Sequence, residues 1–155
     1  MANVIAFGVA CSFLLLQGCS SLDAKQYRIV NLALESPLHE QILVELKLER
    51  LLNETEQARG LMFVAKLAEN EGVLLEYPKE ARRGIWMKNM LIPIDAIFVN
   101  EKGHVVAMFS EIEPCPLTEK CPIYAAEKTQ YIIETAAGFI KTHGLQTKHT
   151  RIVFD

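Results

Sequence analysis

Lys88, Asn89 and Asp95 stand inside Trp86-Met87-Lys88-Asn89-Met90-Leu91-Ile92-Pro93-Ile94-Asp95, a run otherwise apolar enough to be core. A buried amide without a partner costs roughly 1 to 3 kcal/mol, and an unpaired charge costs more, so these side chains either satisfy one another or face a ligand. The first expectation for Asp95 is an internal bond to Lys88 or to Arg59, the fork of an arginine being well matched to a carboxylate. The second is that Asp95, Lys88 and Asn89 converge on a polar ligand with Trp86 as a stacking face, the usual equipment of a sugar or peptide pocket. The third is catalytic: an envelope hydrolase in which Asp95 acts as general base with Lys88 or Glu71. Arg59 can instead bond Glu71 or hold an anionic ligand. Met62, Met87 and Met90 could capture a soft metal, but thioethers more often fill irregular gaps in a core, which is the expectation here.

Other chemistry is not signalled. The chain has no Gly-x-Ser-x-Gly, glycine-rich phosphate loop, His-Glu-x-x-His or Cys-x-x-Cys string. His39, His104, His143 and His149 lack ligand-like spacing, so neither a cofactor nor a metal is implied. The net charge of -3 is small and both signs are interspersed, which argues against nucleic acid as a partner.

The four cysteines divide unevenly. Val4 to Leu16 is an apolar stretch of signal-peptide length, and residues 1–18 carry no charged side chain, not even the usual basic start. Leu16-Gln17-Gly18-Cys19 resembles the lipobox of bacterial lipoproteins. That resemblance implies removal of residues 1–18, a diacylglycerol on the Cys19 thiol, and residues 19–26 as a lipidated tether. Uncharged Ser20 resembles lipoproteins sorted to the outer membrane, facing the periplasm. Several acyl chains at about 0.8 kcal/mol per buried methylene would hold firmly. The alternative is an uncleaved N-terminal helix with Cys19 as an ordinary thiol. Cys115 and Cys121 lie in a proline-bounded loop. Export favours a disulfide there, adding about 2 kcal/mol on a chain-entropy account, with free thiols or a metal as the other readings.

The elements that must position these residues fit one domain, 27–155, since 155 residues with half of them apolar imply a single core. Strands are expected over Tyr27 to Leu34, Gln41 to Leu48, Val73 to Tyr77 (ended by Pro78), Gly84 to Met90, Ile92 to Val99, His104 to Ile112, Gln130 to Glu134 and Arg151 to Phe154. Asn100-Glu101-Lys102-Gly103 reads as a hairpin loop. One helix capped by Asn53 is expected to carry Ala58 to Ala65, and a second to run from Ala136 to Thr142 with Gly144 beyond its end. The fold class is therefore mainly β, a small sandwich or barrel with two short peripheral helices.

Several strings taken in order are specific: Ala58-Arg59-Gly60-Leu61-Met62-Phe63, Glu71-Gly72-Val73-Leu74, Trp86 to Met90, Ile92-Pro93-Ile94-Asp95, Pro114-Cys115, Cys121-Pro122-x-Tyr124 and Gly138. Together they resemble domain of unknown function family 192, over roughly Val44 to Phe154. The resemblance implies a small β-rich domain, often exported or lipid-anchored, with no established activity. The chain departs from it at Met90, where a Thr is common, and after Gly144, where an expected Gly-Asp turn is missing. The functional expectation is an envelope lipoprotein, held to the membrane by its lipid, that serves as a non-catalytic binding domain for a polar small molecule, glycan or protein partner.

Overall fold

The computed structural model describes residues 25–34, 41–116 and 120–154. The expected leader and Cys19, the expected site of lipidation, lie outside these residues. Seven strands form one sheet: β1 (Tyr27–Leu34), β2 (Gln41–Leu51), β3 (Glu71–Trp86), β4 (Ile94–Val99), β5 (Val105–Ile112), β6 (Ile123–Ala136) and β7 (Thr150–Phe154). Their order is β5-β4-β6-β3-β2-β1-β7. Only the β2·β3 pair is parallel; it is joined by a crossover that contains helix α1 (Glu54–Arg59). The sheet curls into a half-barrel: His104, just before β5, bridges Arg151 in β7, and the Ile152 N–H donates to Gly103 O at 2.7 Å. The mainly β class with two short helices is as expected.

The curl creates two apolar clusters on opposite faces. Successive strand residues point to opposite sides, and in β4 every residue is buried. Ile97 and Val99 join Leu32, Leu48, Leu74 and Ile133 in one cluster. Ile94, Ala96 and Phe98 join Val73, Leu75 and Ile132 in the other, under Leu61, Met87 and Met90. Asp95 thus belongs to the face of Ile97, and Glu134 to the face of Ile132.

Among the boundaries that differ from the sequence expectation, four do so for a clear backbone reason. Asn53 does cap α1 through a reciprocal bond pair with Glu56, but the helix stops at Arg59, because Gly60 adopts φ 47° and leaves the helical path. β3 passes through Pro78, which sits in a register irregularity between Glu76 and Ala81, where a missing N–H breaks no ladder bond. The expected strand from Gly84 to Met90 ends at Trp86, and Asn89 turns the chain with φ 59°. Helix α2 (Phe139–Thr142) starts three residues later than expected, since Gly138 at φ 85° is incompatible with a helix interior.

Candidate functional site

Asp95 does not converge with Lys88 and Asn89. Asp95 is completely buried, and its carboxylate is occupied by main-chain donors. Oδ1 accepts from the N–H of Glu111 at 2.7 Å and of Gly138 at 3.1 Å, and Oδ2 from the N–H of Ile140 at 2.8 Å. This explains a bulge in β5, where Ser110 and Glu111 both lie opposite Asp95. The expected bond to Lys88 or Arg59 is replaced by these three amides, which fold the start of α2 and the end of β5 around one charge. A carboxylate so enclosed has no route to a substrate, which removes Asp95 as the general base of a hydrolase with Lys88 or Glu71. Glu71 is exposed at the start of β3, beside Lys47 in the parallel register.

Trp86, Lys88 and Asn89 lie together at the rim of the other face. The Lys88 ammonium is 5.2 Å from the centroid of the Trp86 ring, a cation–π contact. Asn89 donates Nδ2 to Met62 Sδ at 3.7 Å, and its carbonyl accepts from the Phe63 N–H at 3.0 Å. Arg59 is exposed at the end of α1. Cys115 and Cys121 are joined as a disulfide, with Cα atoms 5.5 Å apart.

Arg59 and Trp86 do share one feature: a cleft of about 590 Å³ between α1 and β3, which also takes in Gln57, Tyr77, Arg83 and Met90 and has Glu134 at its floor. Gln57 fixes the helix wall by donating Nε2 to Leu51 O at 3.2 Å and Glu76 O at 2.8 Å. The Arg83 guanidinium stacks 4.1 Å from the Tyr77 ring centroid and donates Nη2 to Lys79 O at 3.3 Å. Its Nε is buried and has no partner among the described residues, which leaves a donor for a ligand or water.

Glu134 is the group that sequence reasoning passed over. It occupies the central strand β6, between Val73 of β3 and Ala96 of β4, and is 5% exposed. Its one side-chain hydrogen bond among the described residues comes from the Leu61 N–H, at 3.3 Å to Oε2. Burial pushes its carboxyl from the ordinary 4.5 up to about 7, against the smaller downward pull of that N–H. Burial likewise raises the Tyr77 hydroxyl, with Arg83 pulling it back. A carboxyl held near neutrality in a cleft can donate or accept a hydrogen bond, or move a proton. Its signal was present in Tyr131-Ile132-Ile133-Glu134-Thr135-Ala136, a lone carboxylate in a β-branched strand, the same anomaly that draws attention to Asp95.

Two glycines shape this floor. A Cβ on Gly60 would lie 2.8 Å from Glu134 Oε2, and one on Gly72 would lie 2.3 Å from Glu134 O. Gly60→Ala is therefore expected to cost roughly 2 kcal/mol, combining an unsuitable φ with displacement of the carboxyl. The midpoint of urea unfolding checks it, and an unchanged midpoint would show that the Gly60 turn can relax.

The sequence model of DUF192, an uncharacterized ACR, matches residues 38–152. The chain belongs to the DUF192 family. No curated protein matches it. Two solved structures are similar to this DUF192 domain. One, a proposed transcription regulator from Sinorhizobium meliloti 1021, has TM-score 0.70 and 22% identity, over 83% of this chain and 95% of that one. The other, a protein of unknown function from Novosphingobium aromaticivorans DSM 12444, has TM-score 0.64 and 23% identity, over 81% and 84% respectively. At this identity they share the fold of the DUF192 domain, and the fold alone.

Proposed function

We propose that this DUF192 domain is an envelope-anchored binding module for a polar ligand, a saccharide being the best fit, held in the cleft between α1 and β3. The observation that carries the reading is Glu134, a nearly enclosed carboxyl with one main-chain partner, at the floor of a cleft that offers Arg83 as a donor and Trp86 as an aromatic wall. Aromatic faces with a few fixed polar groups suit sugar rings, whose hydroxyls both donate and accept. The anchor is supported by the resemblance of Leu16-Gln17-Gly18-Cys19 after an apolar leader to a lipobox, and uncharged Ser20 favours the bacterial outer membrane, facing the periplasm, as its site.

Trp86 is the only tryptophan, so its emission reports directly on the cleft. Titration with N-acetylglucosamine, glucuronic acid and their oligomers is expected to give a saturable change in Trp86 emission with at least one of them. Glu134→Gln should weaken that binding by roughly 10-fold to 100-fold, the loss of one or two buried hydrogen bonds. No saturable change with any probe, or binding indifferent to Glu134→Gln and Arg83→Met, would defeat the reading. The raised Glu134 carboxyl also suits a general acid. A competing hydrolase would therefore centre on Glu134, and turnover of a chromogenic glycoside that disappears in folded Glu134→Gln would favour it.

A further inference from the structure

Trp86 lines the cleft and is 44% exposed, Phe63 at 64% and Leu91 at 57% directly follow the cleft residues Met62 and Met90, and Ile123 at 69% stands beside Trp86 on the neighbouring strand. Single exposed apolar residues are ordinary, but a group of them on one rim marks a surface that something covers. Trp86 and Ile123 are register partners on β3 and β6. Phe63 is tied by its N–H to the carbonyl of Asn89, two residues before Leu91. Phe63 and Asn89 both adopt left-handed backbone, at φ 63° and 59°, which is unusual for residues with side chains and rare for a bulky one. Folding gains nothing from a strained turn that leaves a phenyl ring in water.

We propose that this rim docks on the phospholipid surface to which the chain is anchored; the inference rests on lipidation of Cys19. Two observations select a bilayer as the occupant. Lys88 and Lys120 line the hollow that Trp86 and Ile123 share with the disulfide, and Lys66 follows Phe63 by three positions, so ammonium groups border the apolar residues as an anionic lipid surface requires. The second is the exit of the tether. Lys25 lines a hollow with Arg59, Leu61, Met62 and Val64, directly beside the Phe63 turn. Lys25 is six positions after Cys19, and a chain of that length reaches at most about 20 Å. A lipid on Cys19 thus holds this rim close to the bilayer, and Trp86, which lines both the cleft and the lysine-bordered hollow, marks where cleft and membrane meet.

The test uses the full chain as purified from a bacterial membrane, its mass measured, reconstituted into phosphatidylethanolamine and phosphatidylglycerol vesicles with or without brominated acyl chains. Docking predicts loss of Trp86 emission in the brominated vesicles. It also predicts recovery of that emission in Phe63→Ser/Leu91→Ser, and separately in Ile123→Ser, while each variant still floats with the vesicles and keeps its circular dichroism. An acylated chain that floats but shows full Trp86 emission in brominated vesicles overturns the docking proposal and leaves the anchor standing. Self-association with unquenched emission overturns it too, since a second copy then covers the rim. Quenching that survives both sets of substitutions removes these residues as the docking face. A mass without acyl chains overturns the anchor, and the docking proposal with it.

Discussion

Asp95→Asn is expected to destabilise the domain by roughly 3 to 5 kcal/mol, the range for breaking a buried charged hydrogen-bond network. The carboxylate accepts from three main-chain N–H groups in two separate segments, at Glu111, Gly138 and Ile140. An asparagine has one acceptor oxygen, and its amide would point hydrogens at amide hydrogens, leaving at least one buried donor unpaired. The damage should extend to the packing of Phe139 and Ile140, which α2 contributes to the cluster of Ile97, Val99 and Ile133. Urea unfolding gives the magnitude. A loss below about 1 kcal/mol would mean that the Asp95 clasp contributes no more than an ordinary surface residue. A catalytic Asp95 predicts the reverse pattern, full stability with activity lost.

Glu134→Gln has its largest effect on how stability depends on pH. In the unfolded chain the Glu134 carboxyl titrates at its ordinary 4.5; in the folded chain burial moves it to about 7. Below 4.5 both states hold the proton and the carboxyl contributes nothing to the balance. Between 4.5 and 7 the folded state keeps a proton that the unfolded state has released, so stability falls as pH rises, and above 7 the full penalty is present. The difference of about 2.5 in pKa corresponds to roughly 3 kcal/mol. Glutamine cannot ionise, so the variant should lack this slope and gain on the natural chain as pH rises from about 5 to about 9. Denaturation curves across that range decide it, and parallel pH profiles for the two chains would refute burial of an ionisable Glu134.

Regular strands and tight turns were legible because their determinants are local. The alternation in Val44 to Leu48, the apolar run Ala96 to Val99 of β4, the Asn53 cap and the Gly103 turn each act within a few residues, and each is present in the structure. Met87 to Pro93 resembled strand because its apolar residues do enter the core, Met87 and Met90 being buried, but from a loop reversed at Asn89. The first half of β6 was missed for a related reason: Glu127 and Lys128 are exposed, and Lys128 takes φ 51°, so no alternation runs through them.

Asp95 could be recognised as anomalous, yet its partners could not be named. Main-chain N–H groups carry no side-chain signature, and those of Gly138 and Ile140 lie 43 and 45 positions away. The candidate site failed for the same reason in mirror image. Glu134 is buried by the Gly60–Leu61 turn, 73 positions from the amide that bonds it, and only the curl of the sheet brings that turn over β6. A lone carboxylate in a β-branched strand was the available signal; whether it meets amides, as Asp95 does, or a cleft, as Glu134 does, depends on topology.

In the proposed binding cleft a desolvated carboxyl forms the floor, and carbon-13 NMR of the Glu134 side-chain carboxyl, followed through a pH titration and assigned by its absence in Glu134→Gln, tests that property directly. A midpoint near 7 is the expected result. A midpoint at the ordinary 4.5 would contradict it, since the carboxyl would then be solvated and the cleft would have no buried polar floor with which to hold a ligand.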